Sequence, residues 1–317
     1  MIPRMSRVAI AGATGHVGTY LVPRLVRAGH EVIAVSRGQR EPYRPAPEWD
    51  RVQRLSLDRD APDFAARIAG LDADAVIDMI CFDAPAAQAL VEALAPARPL
   101  LLHCGTIWVH GPAARVPITE DEPRTAYGEY GTGKARAEAY LLRQRDVPVA
   151  ILHPGHICGP GWPVITPAGN LDADVWRRLA TGEPLPLPDL GLGVLHHVHA
   201  DDVAQAFERA LTRPQAVGAS FHAVSEQAMT LRGLAEAVAG WFGREANIEY
   251  VDWPEYERRV GAEHANVTRE HVGRSIAASI DRARAVLGYA PRYSTLQALE
   301  ESVRRLAADG VVDLPAF

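Results

Sequence analysis

The chain has 317 residues, 48% of them hydrophobic, and a formal net charge of −6. It is long enough to bury a large core, and it lacks the basic footprint of a protein that binds nucleic acid or an anionic membrane. Its three cysteines, Cys81, Cys104 and Cys158, are odd in number and widely spaced. They set neither a disulfide framework nor a zinc site, so the expected compartment is a reducing cytoplasm. Residues 1–7 do not read as a secretory leader, and no apolar run reaches the length of a membrane span.

Val8 to Ala11 is a short β-rich run, and Gly12-Ala13-Thr14-Gly15-His16-Val17-Gly18 follows it. The helical spacing of Tyr20, Leu21, Val22, Leu25 and Val26 comes next, Gly29-His30 ends it, and Glu31 to Val35 resumes as strand, which makes a βαβ unit. Further strands are predicted at 52–57, 75–80, 100–104 and 149–152. They alternate with helices near 64–68, at 86–94 and around Tyr130. Such alternation predicts an α/β fold with a doubly wound parallel sheet of the Rossmann kind, binding its ligand at the carboxyl ends of the strands.

From Pro154 to Asp189, seven prolines break any long element. A loop set covering the substrate, built around one short helix at 174–180, is the expectation there. A strand at 197–199, helices at 202–211 and 231–242, a strand at 248–251 and helices at 281–287 and 296–309 complete the chain. The predicted organisation is a dinucleotide-binding domain over 1–155 with a returning segment near 195–225. A smaller, discontinuous substrate lobe takes 156–194 and 226–317.

Gly12-x-x-Gly15-x-x-Gly18 between the first strand and first helix allows a tight turn, close backbone approach to a pyrophosphate, and close helix packing. The phosphates then meet the free N–H groups and positive dipole of a helix N-terminus. The second strand ends in Ser36-Arg37. A carboxylate there would hold the ribose 2′-hydroxyl of NAD, whereas an arginine accommodates the 2′-phosphate of NADP, so NADP is the predicted cofactor, with NAD possible.

Lys134 is the single lysine among 33 basic residues. Tyr130 lies four residues before it, on the same face of a helix, and an ammonium so placed favours a phenolate. Tyr127 competes for the role of base, but its fourth neighbour is Gly131, not a cation. His196, His197 and His199, with His153 and His156, invite a metal reading. No cysteine or carboxylate completes a set, and no metal is expected.

These motifs together resemble the extended, atypical branch of the short-chain dehydrogenase/reductase superfamily, of the epimerase/dehydratase kind. Thr106-Ile107-Trp108-Val109-His110-Gly111 resembles its Ser/Thr-x-x-Val-Tyr-Gly segment. Pro154-Gly155 through Gly161, His199-Ala200-Asp201-Asp202 and Leu287-Gly288-Tyr289-x-Pro291 match others. The resemblance implies Tyr130 as acid/base, Lys134 holding the nicotinamide ribose and lowering the tyrosine pKa, and Thr106 bonding the substrate oxygen. It implies cofactor contacts from Gly12, Thr14, Gly15, His16, Val17, Gly18, Ser36, Arg37, Asp58, Met79, Ile80, Cys81, Lys134 and Pro154. Trp108, His156 and Asn170 are the implied substrate contacts.

Several positions depart from the family pattern. His110 replaces a tyrosine, and His153 an arginine. Val194-Leu195-His196 stands where nucleotide-sugar enzymes carry an arginine for the diphosphate. Ile107 and Trp108 replace the acids that a dehydratase needs, which argues against elimination. The expectation is therefore an oxidoreductase or epimerase acting on a sugar-like small molecule, without nucleic-acid or membrane partners, with a homodimer possible. A simple ketone or aldehyde reductase is the alternative, and a non-catalytic NAD(P) sensor or RNA-binding protein a more distant one.

Overall fold

The computed structural model describes residues 6–317. The elements follow in chain order, beginning with strands β1 (Arg7–Ala11), β2 (Glu31–Ser36), β3 (Gln53–Ser56), β4 (Ala75–Asp78), β5 (Leu100–Cys104) and β6 (Val149–Pro154). Between them run helices α1 (His16–Arg27), α2 (Phe64–Ala69), α3 (Ala84–Leu94) and α4 (Gly128–Arg143). After β7 (His156–Cys158) come α5 (Asp174–Thr181), β8 (Leu185–Pro188), β9 (Val194–Leu195), β10 (His197–His199), α6 (Ala200–Leu211) and β11 (Ser220–Ala223). The chain ends with β12 (Met229–Thr230), α7 (Leu231–Trp241), β13 (Ile248–Val251), α8 (Trp253–Val260), α9 (Ala262–Val272) and α10 (Thr295–Ala308).

Seven strands form one parallel sheet in the order β3-β2-β1-β4-β5-β6-β11. The inner strands are apolar on both faces because both are covered. Val8, Ile10, Ile77 and Leu102 pack with α1 and α6, while Ala9, Val76, Leu101 and Ile151 pack with α2, α3 and α4. The chain reverses its direction of travel between β1 and β4, which opens a crevice at their carboxyl ends. A third cluster, including Trp176, Leu187, Leu195, Leu234 and Leu299, lies in the second half of the chain.

Two helices, α8 and α9, occupy a stretch where no helix is predicted, and the predicted helix at 281–287 is a single π-type turn at Ala283–Leu287. Among the described residues no helix is long and apolar enough to cross a membrane.

Candidate active site

The glycine turn is shaped by contacts that side chains would block. Gly12 has φ +87°, and a Cβ there would stand 2.9 Å from Ile80 Cγ2. At Gly18 a Cβ would meet the Ala13 carbonyl oxygen at 2.2 Å, so this glycine closes α1 onto the turn. Gly15 caps α1 with no side-chain bond, and no acid lies in the first turn. The free N–H groups and dipole there suit an anion.

A cavity of about 410 Å³ opens above this turn. Gly12, Thr14 and Gly15 form its floor, Ser36, Arg37 and Arg40 stand at the end of β2, and Asp58, Ile80 and Phe82 complete its walls. The other implied cofactor residues sit outside that lining. His16 and Val17 are buried in the first turn of α1, and His16 stacks on Trp162 at 5.0 Å with no hydrogen-bond partner on either nitrogen. Burial, with His199 nearby, pulls its pKa down to about 3. Met79 packs beneath Gly12. The buried Cys81 thiol donates to Asp83 O, and burial pushes its pKa up to about 11. Pro154 ends β6, buried in register with Ala223.

The predicted catalytic trio is brought together. Thr106 follows β5, and its Oγ1 accepts from Trp108 N at 3.2 Å, capping a short turn over Ile107–His110. Thr106 also lies near enough to Tyr130 to pull the phenol's pKa down. Lys134 lies one turn further along α4 and is 2% exposed. Its Nζ donates to Cys104 O at 2.7 Å and lies 4.7 Å from the Phe82 ring centre and 5.9 Å from that of Tyr130. Burial lowers its pKa, and the nearby Cys104, Cys81 and Asp78 oppose this.

Burial and Cys104 raise the Tyr130 pKa to about 12, and Thr106 is the group that pulls it down. The Lys134 ammonium meanwhile donates to the Cys104 carbonyl. Gly133 explains how the pair reaches the cavity. A Cβ there would stand 2.5 Å from Phe82 O, so α4 lies directly against the segment that walls the dinucleotide cavity. Phe82 is thus shared by the cavity, Lys134 and Tyr130.

Beyond Tyr130 lies an aromatic wall. Trp108 meets Tyr130 edge-on at 5.7 Å, His271 at 5.1 Å and His156 at 6.4 Å. Arg274, 2% exposed, is sandwiched between Trp108 at 3.8 Å and Tyr127 at 3.9 Å. Its terminal nitrogens donate to Glu270 O and Tyr127 O, its Nε has no partner, and burial lowers its pKa. His271 was not anticipated from the sequence, because it sits on the unforeseen α9. Asn170 is engaged within the chain: its Nδ2 donates to Tyr256 and Thr268, and its Oδ1 accepts from Thr166 Oγ1 and Asp172 N. His196, His197 and His199 do not gather, since they bond Ser225 O, Ile165 O and Glu301 respectively.

Residues 8–223 match the family described as NAD dependent epimerase/dehydratase. The chain belongs to that family. A 2'-dehydrokanamycin reductase of Streptomyces kanamyceticus is 30% identical over 76% of this chain and 68% of its own. The Arabidopsis thaliana chloroplast stem-loop binding protein of 41 kDa b is 26% identical over 93% and 78%. A UDP-glucose 4-epimerase of Mycolicibacterium smegmatis is 26% identical over 94% and 97%. The Bordetella bronchiseptica enzyme WbmG, solved with NAD and UDP, shares the fold with a TM-score of 0.75 at 19% identity, covering 99% of each chain. Named relatives in this NAD-dependent family thus include reductases and epimerases, and this chain is an enzyme of the same family.

Proposed function

We propose that this chain transfers hydride between NAD(P) and a hydroxyl-bearing carbon of a sugar-like substrate, with Tyr130 as acid/base. The observation that carries this reading is the hydroxyl pair of Thr106 and Tyr130 beside the buried Lys134, joined through Phe82 to the glycine-floored cavity. The residues present fit a dinucleotide, since the turn has no room for side chains and the start of α1 has no anion of its own. When bound, the nicotinamide supplies or accepts the hydride.

Tyr130, its pKa raised, gives its proton to a carbonyl oxygen in reduction and receives it in oxidation. Thr106 holds the same oxygen. Lys134 commits one donor to Cys104 O and keeps others for ribose hydroxyls. Trp108, His156, His271 and Arg274 form the substrate side of the site, beside the exposed Tyr130.

Epimerisation, an oxidation with hydride returned to the opposite face, is the first form of this reading. Net reduction is the second, and the end of β2 favours it: Ser36 and Arg37 line the cavity, with no acid on that strand end to take a ribose 2′-hydroxyl. The cofactor decides between them. NAD(H) that copurifies and resists exchange supports epimerisation, and readily exchanged NADP(H) supports net redox. Failure of both nucleotides to bind at ~1 mM would overturn both readings.

A further inference from the structure

Three histidines far apart in sequence meet at the carboxyl edge of the sheet. His153 and His222 are register partners on the adjacent parallel strands β6 and β11. His110 ends the turn that begins at Thr106. None of the three is more than 4% exposed, and a ring nitrogen from each lies within 4.8 Å of the other two. Gly105 provides the room, since a Cβ there would stand 2.6 Å from His153 Cδ2.

The outer partners fix which nitrogens face inward. His222 Nδ1 lies 2.9 Å from the Ser279 carbonyl oxygen, which can only accept, so Nδ1 carries the proton and Nε2 turns a lone pair inward. His153 Nε2 lies 2.6 Å from the Glu138 carboxylate, which Arg124 also holds. That nitrogen is therefore the donor, and Nδ1 is left with a lone pair that has no partner. His110 Nε2 lies 2.9 Å from His222 Nε2. A hydrogen bond between those two satisfies one lone pair and leaves His153 Nδ1 unanswered in a dry interior. A cation answers His153 Nδ1 and His222 Nε2 and takes the place of the His110 Nε2 proton.

We propose that His110 Nε2, His153 Nδ1 and His222 Nε2 bind a divalent transition ion of the zinc class, with a water in the fourth position. Imidazole nitrogens suit this ion class, and hard oxygen-seeking cations do not fit an all-nitrogen set. Tetrahedral zinc with bonds of about 2.0 Å holds its nitrogens about 3.3 Å apart, so the His110–His222 pair opens by a few tenths of an ångström on binding. A carboxylate behind His153 and a carbonyl behind His222 are the outer contacts that orient metal-binding imidazoles. Arg124 donates to His110 Nδ1 at 3.4 Å, so without an ion His110 Nε2 carries the proton and donates to His222 Nε2; binding of the ion releases that proton, and the buried Glu138 and Glu120 offset the added positive charge. The ion would act as a pin, tying the turn that carries Thr106 to β6 and β11. It would not be a reaction centre.

The test uses the full chain, prepared without a polyhistidine tag, stripped with a chelator, and equilibrated with Zn²⁺ or Co²⁺. About one zinc per chain is expected, with a tetrahedral Co²⁺ spectrum and a rise in Tm of about 5 °C at saturating zinc. His222→Gln should abolish all three readings, and His264→Gln, outside the cluster, should leave them intact. Zinc-edge X-ray absorption on the wild-type chain needs no variant and should read three imidazole nitrogens. A wild-type chain that retains no zinc, an oxygen-dominated shell, or undiminished zinc binding in His222→Gln would overturn the site and leave the trio as a hydrogen-bonded cluster.

Discussion

Over β1, β2 and β4 the carboxyl edge of the sheet is made largely of backbone: Gly12 and Gly15 floor the cavity, and bound anions would meet N–H groups. Over β5, β6 and β11 the same edge is crowded with side chains, with Thr106, Tyr130 and Lys134 on one side and His110, His153 and His222 beneath. The first region tolerates almost no added atoms, because backbone stands against Gly15 and Gly18 and the Ile80 and Met79 side chains against Gly12. The second depends on which functional group stands at each position. Size should govern substitution in one region, and chemistry in the other.

The largest stability effect is expected in the backbone region. Gly18→Ala places a methyl against Ala13 O, C and Cα at 2.2–2.8 Å. About 3 kcal/mol should be lost on denaturant unfolding, the upper part of the overpacking range. A loss below about 0.5 kcal/mol would show that the turn can open and would erase the contrast between the regions.

Specificity for the second phosphate comes next. Arg37→Ala should lower NADP(H) affinity about tenfold, about 1.4 kcal/mol, and leave NAD(H) unchanged. Titration of both nucleotides checks it, and equal affinities in wild type, unaltered by the substitution, would return Arg37 to the solvent.

A chemical rule for the second region is tested by Lys134→Arg and Thr106→Ala. Arginine keeps the charge but not the compact shape, so crowding at Cys104 O and Phe82 should weaken cofactor binding several-fold. Thr106→Ala removes the one group that pulls the Tyr130 pKa down against burial and Cys104, so the pKa should rise further above its already raised value. A raised pKa leaves the phenol protonated over more of the pH range, so the alkaline rise of the oxidation rate should move to higher pH. The reduction rate at pH 7, where the phenol is already protonated, should show no such shift. A pH profile superimposable on wild type would show that Thr106 does not set the Tyr130 pKa.

The sequence reveals these regions unequally. The glycine turn is local: three glycines at fixed spacing between a strand and a helix state their function within seven residues. The pairing of Tyr130 with Lys134 is local too, one helical turn on α4. The aromatic wall is not local, because Trp108, His156 and the His271–Arg274 stretch come from three separate segments that only the fold joins. α8 escaped prediction although Asp252, Pro254 and Glu255 form a good helix start, with Asp252 accepting from Glu255 N. The stretch Glu255–Val272 is so charged that its apolar spacing is faint. The position of Lys134 was legible as important, but its hydrogen bond to Cys104 O was not, since a carbonyl 30 residues away leaves no mark in sequence. For the same reason the histidines adjacent in sequence drew attention, while the cluster that forms joins positions 110, 153 and 222.

The central claim is that Tyr130 moves the proton while the nicotinamide moves the hydride. Tyr130→Phe removes one oxygen and keeps the ring between Phe82 and Trp108. The measurement is turnover, followed by nicotinamide absorbance or product formation across a panel of free and nucleotide-linked sugars, alongside cofactor affinity for the same variant. The account predicts unchanged affinity and at least ~10²-fold lower turnover, the scale of a positioned acid/base. Near-wild-type turnover in Tyr130→Phe would contradict it.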